Sequence, residues 1–337
     1  MQAWVIEAAG GPETLLLADL PIPEVGPDDV LVQVAACGIN FPDSLIIEDL
    51  YQTRPPRPFA PGGEIAGTII ALGSTVTNLA PGDRVIARTA WGGLAEQIAV
   101  PAAKCAVMPA AMGFAEGSAF LFTYATSYHA LVQRGRIKPG DRLLVLGAAG
   151  GTGAAAIELA KAFGAHVCAA VSSDEKAAFA RECGADETII YPAGPLDKDA
   201  ARALGAQFKS AGGERGFDLV YDPVGGDYAE PALRAMAWKG RYLVVGFTAG
   251  IPRLPFNLPL LKGCEIVGVF NGGLNANEPH VAADNVRELI ALFEQGKVRP
   301  RVSRVYAFAD APQAIAAIAG RFALGKLVVS MGEFDHG

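Results

Sequence analysis

Two hydrophobic periods divide the chain. Up to about residue 120 the apolar positions come in short β-branched runs. Val30-Leu31-Val32-Gln33-Val34 and Ile65-Ala66-Gly67-Thr68-Ile69-Ile70 are each bounded by Gly, Pro or Asp. Turn clusters recur at Ile22 to Pro27, at Pro61-Gly62-Gly63 and at Pro81-Gly82-Asp83. This punctuation predicts a small, closed or strongly bent antiparallel sheet. Near residue 120 the pattern changes. Buried-type strands are predicted at Arg142–Leu146, His166–Val171, Glu187–Tyr191, Phe217–Tyr221 and Arg241–Val245. Helices are predicted over Ala154–Phe163 and Asp174–Cys183. Alternation of this kind means a parallel sheet with helices on both faces. The last 70 or so residues are mixed. They carry a strand-like Ile266–Val269, helices at Asn285–Gln295 and Ala311–Ala319, and a closing strand at Lys326–Ser330.

The expected fold class is therefore α/β, a β-rich domain plus a doubly wound parallel-sheet domain. Because the parallel sheet looks complete at Val245, the tail is expected to return to the first domain. That gives residues 1–121 with 263–337 as one domain and 122–262 as the other. A length of 337 residues suits two domains.

Composition narrows the function. Lys+Arg 28 against Asp+Glu 35 gives a net charge of −7, which argues against a nucleic-acid surface. Hydrophobic residues make up 51% and charged residues 19%, enough to fill two cores. The five cysteines are scattered with no C-x-x-C pair, which fits a reducing cytosol and neither a disulfide framework nor a structural zinc site. Neither a targeting segment nor an apolar run of roughly 20 residues is evident, so a cytoplasmic protein with no membrane partner is expected.

The chemistry centres on Gly147-Ala148-Ala149-Gly150-Gly151-Thr152-Gly153, between a predicted strand and a predicted helix. Glycines there let the backbone turn tightly and approach a pyrophosphate, which the helix start then receives with free N–H groups and a positive dipole end. The first glycine of the usual G-x-G-x-x-G is Ala148 here. An NAD site places Asp or Glu roughly 20 positions on, to bind the ribose hydroxyls. This chain has Val171 there, followed by Ser172 and Lys176, a hydroxyl and a cation suited to a 2′-phosphate. NADPH is therefore expected over NADH. The plainer alternative makes Ser172 a helix cap and Lys176 a solvated charge. Among four histidines (His129, His166, His280, His336) none pairs with a cysteine at metal-ligand spacing, so no metal is expected. Asp43 and Glu64 are candidate carboxylates, though Glu64, after a Gly-Gly turn, also suits a structural anion.

Taken in order, the residues resemble the medium-chain dehydrogenase/reductase superfamily in its zinc-free, ζ-crystallin-like quinone oxidoreductase branch. The resemblance runs nearly end to end. It is carried by Gly38-Ile39-Asn40-Phe41-Pro42-Asp43, by Tyr51 through Pro58-Phe59-Ala60-Pro61-Gly62-Gly63-Glu64 to Gly67, and by Pro81 to Val85. Gly147 to Gly153, Gly184-Ala185-Asp186, Tyr221 to Gly226 and Gly325-Lys326 complete it. The superfamily's zinc enzymes carry a Cys where this chain has Asn40 and a His where it has Gly63. Their cysteine-rich lobe is absent, since Trp91 to Glu96 runs straight on to the next strand.

The resemblance implies a GroES-like domain and a Rossmann domain. It places Asn40 and Thr126 near the nicotinamide, and Gly150, Gly151, Thr152 and Gly153 on the pyrophosphate. Ser172, Lys176 and Tyr191 are similar to adenosine-phosphate contacts. Val245-Gly246-Phe247 and Val269-Phe270 resemble cleft walls, Arg321 a basic residue approaching the cofactor, and Tyr51 a substrate-loop tyrosine. It further implies a homodimer paired through Ile266–Val269. The expected reaction is hydride transfer from NADPH to a flat, electron-poor, small-molecule acceptor such as a quinone, held in the cleft between the domains. The alternatives are reduction of an activated C=C bond in an enone or enoyl thioester, and a non-catalytic NADPH-binding protein.

Overall fold

The computed structural model describes residues 1–320 and 323–332. The chain divides into two compact units, Met1–Phe122 with the residues from Pro300 onward, and Thr123–Arg299.

The first unit begins with the pair β1 (Gln2–Val5) and β2 (Leu16–Asp19). Then come β3 (Asp29–Ile39), α1 (Phe41–Ile47), β4 (Glu64–Leu72), β5 (Arg84–Arg88), β6 (Gln97–Pro101), β7 (Cys105–Val107) and α2 (Phe114–Gly117). Helix α3 (Leu121–Tyr128) runs across the boundary. β3 is the spine, with Val30, Val32, Val34, Cys37 and Ile39 fully buried in the core. Glycine permits its close crossing by another segment: a Cβ on Gly38 would lie 1.8 Å from the Ser118 carbonyl oxygen.

The second unit holds β8 (Arg142–Leu146), α4 (Gly151–Ala162), β9 (His166–Val171), α5 (Asp174–Glu182), β10 (Glu187–Ile190) and α6 (Lys198–Gly212). These are followed by β11 (Phe217–Asp222), α7 (Ala229–Arg234), β12 (Met236–Val244), α8 (Asn257–Lys262), β13 (Glu265–Gly268), α9 (Asn271–Asn277) and α10 (Pro279–Glu294). Its six strands lie in the order β10-β9-β8-β11-β12-β13, all parallel. β8 and β9 are buried along nearly their whole length, as expected of strands covered on both faces. The small buried face of α4, Ala154 to Ala156 with Ala160, lets the helix lie close to the sheet.

The chain then returns to the first unit with β14 (Val302–Ala307), α11 (Ala311–Ala319) and β15 (Lys326–Ser330). The larger sheet there runs β14-β15-β3-β4-β5-β7, with β6 also on β3. It is mixed rather than purely antiparallel, because β14 and β15 pair in parallel.

One expected boundary needs correction. Residues 263–299 belong with the parallel sheet and not with the first unit. β13 adds to β12 in register, Arg241 opposite Glu265 through Val244 opposite Gly268, so the sheet that looked complete at five strands takes a sixth.

Candidate active site

In the first unit the structure gathers a buried polar cluster from four distant segments. Asn40 precedes α1, and its backbone N–H donates to Asp43 Oδ2 at 2.7 Å, one half of a capping box. Asp43 Oδ1 accepts from the Gly62 N–H at 3.2 Å. Glu64 opens β4 and has no exposed surface. Its Oε1 accepts from the Phe122 N–H at 2.7 Å, and its Oε2 from Asn40 Nδ2 at 3.2 Å. Lys326 opens β15, and the antiparallel pairing of β15 with β3 sets Leu327 opposite Ile39. That register delivers the Lys326 ammonium to Asn40 Oδ1 at 2.6 Å, Glu64 Oε2 at 3.1 Å and the Ile39 carbonyl at 3.3 Å.

An ammonium only donates and a carboxylate only accepts. The Asn40 amide is therefore held with its oxygen toward Lys326 and its nitrogen toward Glu64. Glu64 is the structural anion here. Beneath the cluster, burial pushes the Cys37 thiol well above its usual range, with Asp43 and Glu64 adding to the shift, so this cysteine is not a nucleophile.

Burial also lifts Asp43 from 3.8 to about 6, against the opposing hydrogen bonds from Asn40 and Gly62 and the charge of Lys326. The native state thus binds a proton that the unfolded chain has released between those two values. Stability from this group is present below pH 4 and is lost as pH rises through about 6. At 1.36 kcal/mol per pH unit the loss is about 2–3 kcal/mol. Urea unfolding at pH 4 and pH 7 should show this fall in the wild type and not in Asp43→Asn. Equal slopes in both proteins would contradict the assignment.

Arg88 ends β5 directly opposite Glu64 in the antiparallel ladder. Its guanidinium lies 5.0 Å from the centre of the Phe122 ring. Burial lowers its pKa, while Glu64 and Tyr51 oppose that shift. Tyr51 is half-buried against the same core. Burial raises its hydroxyl pKa, partly offset by Arg88. The structure thus brings Asn40 and Tyr51 into one electrostatically coupled cluster with Arg88, Glu64 and Lys326. Neither Arg88 nor a role for Lys326 is signalled by local sequence.

In the second unit the glycine turn joins β8 to α4. Gly147 has φ +57°, which favours glycine. Gly150 is the N-cap and brings no side chain to it. A Cβ on Gly153 would meet the Gly147 oxygen at 2.5 Å and Ala148 Cα at 2.7 Å, so glycine is required for the helix to seat on the turn. A Cβ on Gly150 would have only the Gly147 oxygen nearby, at 3.5 Å. The first-turn N–H groups of α4, from Gly151 to Gly153, have no partner within the helix. This is an anion cradle, and a pyrophosphate fits it. Behind it, Ser127 Oγ donates to the Thr152 carbonyl at 3.0 Å and bonds the Tyr221 hydroxyl at 2.9 Å. Those two side chains brace the first turn of α4, a role that no local sequence signal gives.

Val171 ends β9 and is buried. Just beyond it Lys176 Nζ donates to Ser172 Oγ at 3.0 Å, so the expected hydroxyl and cation do meet. The cap of α5 is Ser173, whose side chain accepts from the Lys176 N–H at 3.3 Å, leaving Ser172 without that task. Tyr191 is 7% exposed, its ring 4.8 Å from that of Tyr228, and its hydroxyl faces the Gly147 backbone. It supports the turn from within the core. Val245 and Gly246 donate their N–H groups to the Asp222 carbonyl at 2.9 and 3.2 Å, which turns the chain outward after β12. Phe247 and Phe270 are exposed, Val269 is buried, and Thr126 is half-buried on α3. Arg321 lies outside the described residues. Among the described residues no three His, Cys, Asp or Glu side chains gather as a metal would need.

Comparison with known proteins agrees with this geometry. Residues 26–110 match the family model of the alcohol dehydrogenase GroES-like domain, and 151–293 that of the zinc-binding dehydrogenases. Quinone oxidoreductase-like protein 2 homolog of Nematostella vectensis is 34% identical over 91% of this chain and 82% of its own. Quinone oxidoreductase of Pseudomonas aeruginosa is 34% identical over 96% of this chain and 97% of its own. The chain belongs to the zinc-independent, quinone-oxidoreductase-like branch of the medium-chain dehydrogenase/reductase superfamily. Within that branch, the Escherichia coli quinone oxidoreductase solved in complex with NADPH superposes with a TM-score of 0.88 at 27% identity, covering 98% of this chain and all of that one. The Thermus thermophilus quinone oxidoreductase, also solved with NADPH, gives 0.83 at 33% identity over 98% of this chain.

Proposed function

We propose that this chain is an NADPH-dependent reductase that passes hydride to a quinone-type acceptor without a metal. The observation that carries this reading is the buried Asn40–Glu64–Lys326 cluster. Where the superfamily's zinc enzymes place metal ligands, this chain has a neutral amide and a glycine, and the ammonium of Lys326 neutralises Glu64. The NADPH structures of the Escherichia coli and Thermus thermophilus relatives support the cofactor.

When bound, NADPH supplies the hydride. Gly150, Gly151, Thr152 and Gly153 would hold its pyrophosphate, and Ser172 with Lys176 its 2′-phosphate. Asn40, fixed by Lys326 and Glu64, and Tyr51 would position the acceptor, while Thr126, Val245, Gly246, Phe247, Val269 and Phe270 would contact the cofactor at its nicotinamide end. Catalysis is then chiefly positioning and exclusion of water. NADPH oxidation measured against quinones and enones tests the reading.

Replacing Lys176 with alanine should weaken NADPH binding by roughly 10- to 100-fold, since a hydrogen bond to a charged group contributes about 1.5–3 kcal/mol. NADH lacks the phosphate and should bind the variant as it binds the wild type. Titration of both cofactors into both proteins decides the matter, and equal losses would assign Lys176 to the fold.

A homodimer is part of the proposal. β13 is an edge strand, and an unprotected edge favours pairing with its own copy. In the same unit Trp238, Ile251, Phe256, Leu260 and Phe270 are all more than 65% exposed, more large apolar surface than a lone subunit needs. Light scattering at micromolar concentration should give twice the 35.0 kDa chain mass, and the mass of a single chain would contradict the pairing. A cytoplasmic setting is part of the proposal, and the five free cysteines suit it; no helix among the described residues is long and apolar enough to cross a membrane.

A further inference from the structure

Arg88 stands apart from the other part-buried arginines of its unit. Arg57 is tied to Asp49 and to the Ile47 carbonyl, and Arg84 to the carbonyls of Ala110 and Met112. The Arg88 guanidinium makes neither a hydrogen bond nor an ion pair among the described residues, and it lies over the face of Phe122. The carboxylate across the ladder is no partner. Glu64 spends Oε1 on the Phe122 N–H and Oε2 on Asn40 and Lys326. Glu64 and Lys326 offset one another, and Asp43, which is ionised above about pH 6, is bonded to the Asn40 and Gly62 N–H groups, so Arg88 is the cation of the cluster that no carboxylate bonds. A guanidinium has five donors in a planar fork, and none of the Arg88 nitrogens is sealed from solvent, so the half-buried fork stays open to water or to a ligand. Its setting beside Tyr51 and across the ladder from Glu64 puts that open fork within the candidate site.

We infer that Arg88 anchors the conjugated carbonyl oxygen of the substrate and stabilises the negative charge that develops there. The inference rests on the reductase reading. Hydride, with its two electrons, leaves NADPH as NADP⁺ and forms a new bond to the quinone or enone. The π electron pair so displaced settles on the carbonyl oxygen, which then takes its proton from water. A preorganised cation at that oxygen lowers the barrier without itself giving up a proton. The Phe122 ring, 5.0 Å from the guanidinium carbon, is a cation–π neighbour that takes up none of its N–H donors. The chemical class this selects is a planar carbonyl compound whose reduced form is an oxyanion.

The test uses Arg88→Met and Arg88→Gln, with 4-nitrophenolate as a stable mimic of the oxyanion. Titrated into the cofactor-free wild type, 4-nitrophenolate should bind and should compete with quinone in turnover. Either folded variant should bind it at least roughly 10-fold more weakly and lose roughly 100-fold or more in kcat/KM, while its affinity for NADPH stays at the wild-type value. Arg88→Lys should recover part of both losses. Unchanged 4-nitrophenolate affinity in a folded variant overturns the inference whatever the activity shows. A wild type that binds the phenolate through Arg88 yet reduces neither quinones nor enones would overturn the reductase reading and leave the anion site standing.

Discussion

Replacing Lys326 with methionine is expected to destabilise the first unit by about 3–5 kcal/mol, the cost of breaking a buried pair from one side. The Lys326 side chain is 5% exposed and that of Glu64 not at all, so the orphaned carboxylate cannot recover its lost partner from water. Asn40 loses the donor that fixes its amide oxygen in the same stroke. The double variant Glu64→Gln/Lys326→Met should regain much of the loss, because a neutral amide tolerates burial better than an unpaired charge. Urea unfolding in a Trp238→Phe background reads the first unit, which contains Trp4 and Trp91. A loss below about 1 kcal/mol would make the pair no stronger than a surface contact and would remove the ammonium from its proposed role.

Two glycines of the turn separate fold from ligand. Gly153→Ala drives a Cβ to within 2.7 Å of backbone at Gly147 and Ala148, atoms that cannot move without shifting the turn. It should lose about 1–3 kcal/mol of stability or more, and NADPH affinity with it. Gly150 has φ −78° and ψ 166°, a conformation alanine adopts freely, and its Cβ meets nothing closer than 3.5 Å. Gly150→Ala should therefore keep nearly all its stability, apart from a few tenths to one kcal/mol for the poorer N-cap. Its methyl would instead occupy the anion cradle and weaken NADPH binding roughly 10-fold or more, as loss of close backbone approach to a phosphate demands. Thermal unfolding with and without NADPH distinguishes the two. Wild-type cofactor affinity in Gly150→Ala would place the pyrophosphate elsewhere.

The parallel sheet is legible because its strands are short, mostly apolar runs separated by helical segments and by turns of glycine, serine, proline or aspartate. β8, β9, α11 and β15 fall on the predicted residues. Helix α6 was not read, since Lys198 to Gly212 is mostly alanine and charge, with only Leu204, Phe208 and Gly212 turned inward. The sixth strand was assigned to the wrong unit because β13 is short and only Val267 in it is buried, a weak signal for sheet membership. At the site, Ser172 and Lys176 could be named because they are close in sequence. The Lys326–Asn40–Glu64 cluster could not, because its members lie 286 and 262 positions apart and meet only through the register of β15 on β3. Arg88 was silent for the same reason. Its meaning comes from the carboxylate across the ladder, which is itself fully engaged.

Metal-free turnover with NADPH is the most direct test of the central claim. Protein treated with a chelator and dialysed should oxidise NADPH on addition of a quinone as fast as untreated protein, and faster than on addition of an enone of similar size. Activity that is lost with the chelator and restored by zinc, or NADPH oxidation that no quinone elicits, would contradict the account.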